Sequence, residues 1–303
     1  MAAQEAITFR FGAKAEKSKG IGIHRWTVDE TAECSSVRPG ERCTVLRCEP
    51  LDPSPTLLWN CLAKGTFRNT NRDSSKQAAF HSWNFRFDRW HQEFHVHYDN
   101  SAFTKARRAV KDEELRSYGW VHIEIVESFA TDLADRGNSL IENPSEAAKF
   151  KIGADEICLS KKVLACHSPF FNSLFTTDFK EKAEDLYELK ELDMETFLCF
   201  VAIIHYVEVT INDKDFMECL LKLGDRFLCK AVLHHCEEDL RSAKVKDIPF
   251  LDKLRLADRF ELNKLLMDMV DRIPVDELKL MPPSDLSEFA ADLVLQKLYM
   301  FSS

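Results

Sequence analysis

Apolar and polar residues alternate along several short segments of the first part of the chain. Ile7, Phe9 and Phe11 fall on one side of "ITFRF", and Trp83, Phe85 and Phe87 on one side of "WNFRF". Phe94, Val96 and Tyr98 do the same in "FHVHY", as do Val121, Ile123 and Ile125 in "VHIEI". Successive side chains of a strand point to opposite faces, so this spacing predicts half-buried strands. Stretches rich in turn formers, "RPGE", "EPLDPSP" and "NTNRDSS", separate them. Short antiparallel strands with little helical periodicity predict a β-sandwich over residues 1–128, closed by the strand "WVHIEIVE".

A polar connection, "SFATDLADRGNSLIENPSE", follows. Leu133, Leu140 and Ile141 give it a thin helical stripe around Gly137, and Pro144 stops it, which predicts a linker helix within residues 129–146. From about Lys149 the pattern changes. "KFKI" and "EICL" predict a two-strand hairpin around "GADE", after which helical spacing dominates, broken by one short strand, "LYEL". In "SKKVLACHSPFFNSLFTTDFKE", Val163 and Leu164 face inward, and Ser168-Pro169 ends one helix and starts the next. Phe170, Phe171, Leu174 and Phe175 then form a new apolar face, and Phe179 stands in a polar loop. "LGDRF" at Leu223–Phe227 recurs as "LADRF" at Leu256–Phe260 with similar helical spacing on both sides, which predicts stacked helical hairpins. The fold class is therefore α+β multidomain.

Charge supports the division. The net charge of −9 is carried entirely from Glu146 onward, the preceding part being neutral. An acidic second half and a neutral first half exclude the net basic face that a nucleic-acid partner needs. The longest apolar run, Phe197–Ile204, is too short to span a bilayer, so no membrane role is expected. The N-terminal residues lack the apolar stretch of a signal peptide. The 10 cysteines include no CxxC pair, so we expect reduced thiols in the cytoplasm or nucleus and no zinc ribbon or finger.

Several short matches to catalytic motifs fail on chemistry. "HQEFH", His91 to His95, places Gln92 where a zinc protease needs Glu directly after the first His. His91-Gln92-Glu93 fits the first half of a zinc deaminase signature whose second half is missing. His95 and His97 share one strand face, but no third ligand is evident. Cys166 and His167 are adjacent on a helix and point about 100° apart, so they do not form a nucleophile–base pair. "HHCEED" (His234–Asp239) reads as the polar side of a helix. No catalytic residue, metal ligand or cofactor is assigned.

The second half nevertheless has a recognisable layout. "KKVLACHSPFFNSLF" with "FKE", then "ELKELDMETF", then "LLKLGDRFLCKAVLHHCEEDL" resembles the BTB/POZ domain, and "LADRFELNKLL" resembles the helical extension (BACK-like) that follows it in ubiquitin-ligase adaptors. A β-sandwich with fragments such as "LWNCLAKGTF", then "DLADRGNSLIEN", then BTB is similar to MATH–BTB adaptors such as speckle-type POZ protein and nematode relatives. The resemblance implies a MATH-like domain over 1–128, a linker and dimerisation helix over 129–146, BTB/POZ over 147–241 and the extension over 242–303. It implies a homodimer with contacts at Leu133, Leu140 and Val163, the family's middle leucine being Gly137 here. It implies a cullin-3 scaffold held by the hydrophobic-x-Glu motif, which falls on Phe179 and Glu181, and a protein substrate on the MATH-like domain. Phe103 matches a substrate-contacting aromatic, while Ser101 replaces a nearby tryptophan. Ala147 and Ser160 replace an aspartate and a histidine of the pocket with which transcriptional BTB proteins recruit corepressors.

Three functions compete. The leading expectation is a non-catalytic substrate adaptor of a cullin-3 RING ubiquitin ligase. The alternative is a BTB-mediated homo-oligomeric scaffold that binds no cullin. An enzyme built on the His or Cys clusters is the third, which metal analysis would separate.

Overall fold

The computed structural model describes residues 4–10, 17–29, 41–70, 79–99, 118–177, 186–211, 213–242, 248–278 and 286–301. The chain divides into two compact units, residues 1–131 and 132–303.

Among the described residues the first unit contains eight strands: β1 (Gln4–Arg10), β2 (Lys17–Ile21), β3 (His24–Asp29), β4 (Glu41–Pro50), β5 (Leu57–Thr70), β6 (Ala79–Asp88), β7 (Glu93–Asp99) and β8 (Tyr118–Asp132). They form two four-stranded sheets, ordered β1-β8-β5-β6 and β2-β3-β4-β7. Pairing is antiparallel at β1–β8, β2–β3, β3–β4, β4–β7 and β5–β6. The alternation read from the sequence sorts the faces: Trp83, Phe87, Val96, Val121 and Ile123 all enter one apolar core with Trp26 and Leu46. Trp26 of one sheet meets Phe87 of the other edge-on, ring centroids 5.1 Å apart, so the two sheets pack face to face. Each such ring, fully buried, stabilises the sandwich by about 2–3 kcal/mol relative to an exposed one. Gly65 marks a close approach, since a Cβ there would collide with the His122 carbonyl of β8 and lie 2.8 Å from the Trp83 ring.

The linker helix anticipated from Leu133, Leu140 and Ile141 does not form. Residues 133–143 are a run of turns, and Pro144 begins a single 3-10 turn, Pro144–Glu146, instead of ending a helix. The cause is local. Asp132, Asp135, Asn138 and Asn143 each accept a hydrogen bond on their own side chain from a backbone N–H two residues on. Short polar side chains that capture nearby N–H groups compete directly with helical hydrogen bonds, and here four of them outweigh three apolar residues. Asn138 also donates to the carbonyls of Asp135 and Cys158, which fastens the turns to the following strand.

The second unit then follows the expected order. β9 (Ala147–Ile152) and β10 (Asp155–Ser160) form the antiparallel hairpin, turning through Gly153 at φ 61°, and β11 (Leu186–Glu188) lies parallel to β9. The helices among the described residues are α1 (Lys161–His167), α2 (Pro169–Thr176), α3 (Met194–Ile204), α4 (Lys214–Arg226), α5 (Lys230–Arg241), α6 (Phe250–Arg259), α7 (Asn263–Arg272), the short α8 (Val275–Leu278) and α9 (Glu288–Phe301). Ser168 both closes α1 and opens α2: its backbone N–H reaches Leu164, and its hydroxyl accepts from Phe171 and donates to the Phe227 carbonyl. Phe171 is the anchor, with its ring 4.8 Å from Phe227 and 5.8 Å from Phe150.

The internal repeat is structural as well as sequential. In both copies the Phe caps the first helix, the next residue (Leu228 or Glu261) takes a positive φ, and the three backbone N–H groups from the Phe onward bond to equivalent carbonyls (Leu223, Asp225 and Gly224; Leu256, Asp258 and Ala257). Arg226 and Arg259 lie over the Phe rings that follow them, at 5.6 and 5.3 Å. The two hairpins, α4–α5 and α6–α7, are joined by polar contacts that periodicity did not disclose. Glu237, which the sequence places on a polar face, is buried, and its carboxylate accepts from the Leu265 N–H at the start of α7. The other end of α7 is closed by Lys297 of α9, whose ammonium donates to the carbonyls of Val270, Asp271 and Ile273 at 2.7–2.8 Å. A cation on the last carbonyls of a helix matches both their lone pairs and the helix dipole.

Candidate functional site

The segment from Ser160 to Thr177 leads to the residues that the sequence singles out for docking. Ser160 N-caps α1 by accepting from Val163, so this position serves helix geometry where the transcriptional family pattern has a histidine. Ala147 is buried in β9. From there Leu164 and Phe171 hold α1 and α2 against the core. Phe179 and Glu181 lie outside the described residues, between Thr177 and Leu186, where the described chain resumes. The two flanks are held together: Phe175 in the last turn of α2 meets Tyr187 of β11 with ring centroids 5.3 Å apart, and Phe150 packs on both. The described residues on either side of this gap, Phe175 and Tyr187, thus share one aromatic cluster with Phe150.

The three residues assigned to the dimer do not share one environment. Leu140 and Val163 are half-buried, but Leu133 is fully buried within its own unit, and its carbonyl accepts from Cys158. In this conformation Leu133 offers a partner no surface, so of the three only Leu140 and Val163 are available for a twofold contact. Phe103 lies outside the described residues, as does Ser101.

The rejected catalytic pairs stay apart. Cys166 is exposed, whereas the His167 ring faces Tyr206 at a centroid distance of 6.1 Å. His91 sits in the β6–β7 turn against Asp88. His95 and His97 stack 6.5 Å apart on β7, an edge strand of its sheet, with the Cys43 sulfur 3.5 Å from His95 Nδ1. Among the described residues, the group whose ligand atoms do converge is one that motif spacing did not suggest: His24, Cys48 and Cys61, all buried. Burial raises the Cys48 thiol well above its ordinary pKa. Cys61 is lowered to about 6, first by its hydrogen bond with Cys48 and then by the neighbouring imidazole, against the opposing effect of burial. The available signal was inward alternation, because His24 shares the core face of β3 with Trp26 and Val28.

Residues 148–244 match the BTB/POZ domain family. The chain is 32% identical over 114 residues to BTB and MATH domain-containing protein 38 of Caenorhabditis elegans, covering 38% of this chain and 29% of the relative. To protein 36 of the same series in Caenorhabditis elegans it is 24% identical over 239 residues, covering 73% of this chain and 69% of the relative. To protein 39 of Caenorhabditis briggsae it is 28% identical over 118 residues, covering 39% and 33%. The aligned part thus spans about a third of two of these relatives and about two thirds of the other. The chain carries a BTB/POZ domain behind an N-terminal two-sheet unit, the architecture of MATH–BTB proteins. BTB/POZ is an interaction and oligomerisation domain, and the match indicates no enzymatic class. Among the described residues no helix is long and apolar enough to cross a membrane.

Proposed function

We propose that this protein is a substrate adaptor of a cullin-3 RING ubiquitin ligase. Its BTB/POZ domain forms a homodimer through a surface that includes Leu140 and Val163, and it docks cullin-3 through Phe179 and Glu181. Its N-terminal unit holds an unidentified protein substrate, with Phe103 in the contact. The observation that carries this reading is the BTB/POZ match over 148–244 with an intact hydrophobic-x-Glu motif directly after α2. An adaptor of this kind does no chemistry. It raises the effective concentration of the substrate at the ligase, and a dimer adds avidity by presenting two substrate sites together. The division into two compact units supports separate substrate and scaffold roles. In this reading the protein works in the cytoplasm or nucleus.

The division of labour is tested by comparing the full chain with one lacking residues 1–128 in capture experiments from cell extract. Loss of the captured substrates with cullin-3 retained is the expected outcome. If the shortened chain captures the same partners, the substrate site is not in the N-terminal unit. If neither chain retains cullin-3 while both still oligomerise, the homo-oligomeric scaffold is the better description.

A further inference from the structure

The core of the N-terminal unit contains a polar group that neither the sandwich nor the adaptor role explains. His24 lies on β3 and Cys48 on the neighbouring β4, while Cys61 lies on β5 of the opposite sheet. All three side chains point into the space between the sheets, each 0% exposed. Their ligand atoms, one imidazole nitrogen and two sulfurs, all lie within 4.8 Å of one another. Neither ring nitrogen of His24 makes a hydrogen bond of full geometry, although the imidazole lies close enough to the Cys61 thiol to favour its ionised form. Buried imidazoles almost always satisfy at least one nitrogen, because an orphaned one forfeits the water it had in the unfolded chain. The His24 ring is flanked instead by Trp59, with centroids 5.5 Å apart, which walls the group off on an aromatic side.

We propose that His24, Cys48 and Cys61 bind one zinc-class divalent cation that cross-links the two sheets of the N-terminal unit. The donor set selects the metal. Two sulfurs and an imidazole nitrogen suit zinc, whereas calcium and magnesium require oxygen ligands. Charge selects the oxidation state. Two thiolates, a neutral imidazole and a divalent cation sum to zero, and a neutral complex is what an apolar core tolerates; a monovalent cation would leave a buried negative charge. Zn–S bonds of about 2.3 Å and a Zn–N bond of about 2.0–2.1 Å place tetrahedral donors under about 4 Å apart, so binding would draw the three groups together by no more than about 1 Å. The residues fill three of the four positions of a tetrahedral site. Sequence spacing hides this arrangement, since the ligands come from three strands and include no CxxC pair.

The test uses the full chain purified under reducing conditions without chelator. Elemental analysis should find about one zinc per chain, and cobalt(II) added to the metal-stripped protein should give a thiolate-to-cobalt charge-transfer band saturating at about one equivalent. Cys61→Ser and Cys48→Ser should each weaken that band. His24→Gln should keep it but raise the cobalt dissociation constant at least tenfold. Because the cobalt titration is done on the unsubstituted chain, it does not depend on the variants folding. Folded wild-type protein that takes up neither metal stoichiometrically would overturn the proposal. So would a cobalt band unchanged in both cysteine variants, or a Cys48–Cys61 disulfide found in place of the metal.

Discussion

Glu237 is a buried point at which the BTB/POZ domain grips the helices that follow it, beside the more exposed Arg241–Asp268 and Glu218–Arg259 pairs, and its removal is a sharp test of how the second unit holds together. It belongs to α5, within the matched domain, whereas the N–H it accepts belongs to Leu265 in the first turn of α7, beyond it. The helix α7 has no cap of its own, because Leu262 occupies the N-cap position and has no acceptor to offer. The Glu237 carboxylate, 3.0 Å from the Leu265 nitrogen, does that work from another helix, with a negative charge at the positive end of the helix dipole. Losing a cap costs about 0.5–2 kcal/mol, and losing a hydrogen bond to a charged group costs about 1.5–3 kcal/mol. Both figures describe the same contact, so they overlap and do not add; for Glu237→Ala we expect about 2 kcal/mol. Glu237→Gln keeps an oxygen acceptor in nearly the same volume and should cost about half as much.

The chain supplies its own control for this measurement. All five tryptophans (Trp26, Trp59, Trp83, Trp90 and Trp120) lie in the first unit, and the helices among the described residues lie in the second. Urea denaturation followed by helical circular dichroism therefore reports the second unit, and tryptophan fluorescence reports the first. With a urea dependence of about 2 kcal/mol per molar, the Ala variant should lower the helical midpoint by about 1 M and leave the fluorescence transition in place. A helical midpoint equal to that of the wild type, or Ala and Gln variants that unfold together, would refute the assignment of Glu237 as the cap of α7.

Two further outcomes follow from the second unit. Leu140→Asp with Val163→Asp should convert the proposed dimer to a folded monomer in light scattering, since a buried charge in a self-complementary patch is strongly unfavourable; an unchanged mass would remove both residues from the proposed interface. His205, at the end of α3, is pushed down to about 4, chiefly by burial and then by His167. Its folded pKa lies below the unfolded value, so the unfolded chain binds the extra proton and stability falls as the solution is acidified from about pH 6.5 towards pH 4. At about 1.4 kcal/mol per unit, the second unit should lose at most about 2 kcal/mol between pH 7 and pH 5. His205→Gln should flatten that dependence, and an equal acid sensitivity in the variant would place its origin elsewhere.

What could be read from the sequence was whatever local pattern decides. Period-two alternation located β6, β7 and β8 because one face of each strand is buried. Ser168-Pro169 announced two helices because a serine hydroxyl and a proline ring are each suited to a helix start. The LGDRF and LADRF repeat marked two equivalent hairpins. The misreadings occurred where distance or competition decides. The apolar triplet Leu133, Leu140, Ile141 suggested a helix, but four Asp and Asn side chains satisfy the backbone locally. Leu133, which the resemblance places at a dimer contact, is fully buried within its own unit, and a helical stripe alone does not show that. Glu237 looked like a solvent-facing acid because its partner is 28 residues away in sequence. His24, Cys48 and Cys61 gave no motif at all, since strand pairing and sheet stacking are what bring them together.

The proposed adaptor role depends on Phe179 and Glu181 docking cullin-3. Calorimetry of the full chain against the cullin-3 N-terminal region addresses it directly. Interface energy concentrates in a few buried anchors, and Phe179 seated in a pocket should contribute about 2 kcal/mol or more. One decade of affinity corresponds to about 1.4 kcal/mol, so the double variant Phe179→Ala, Glu181→Ala should bind at least tenfold more weakly, with its helical signal and dimer mass unchanged. Wild-type protein that gives no heat of binding, or a double variant with full affinity, would contradict the account.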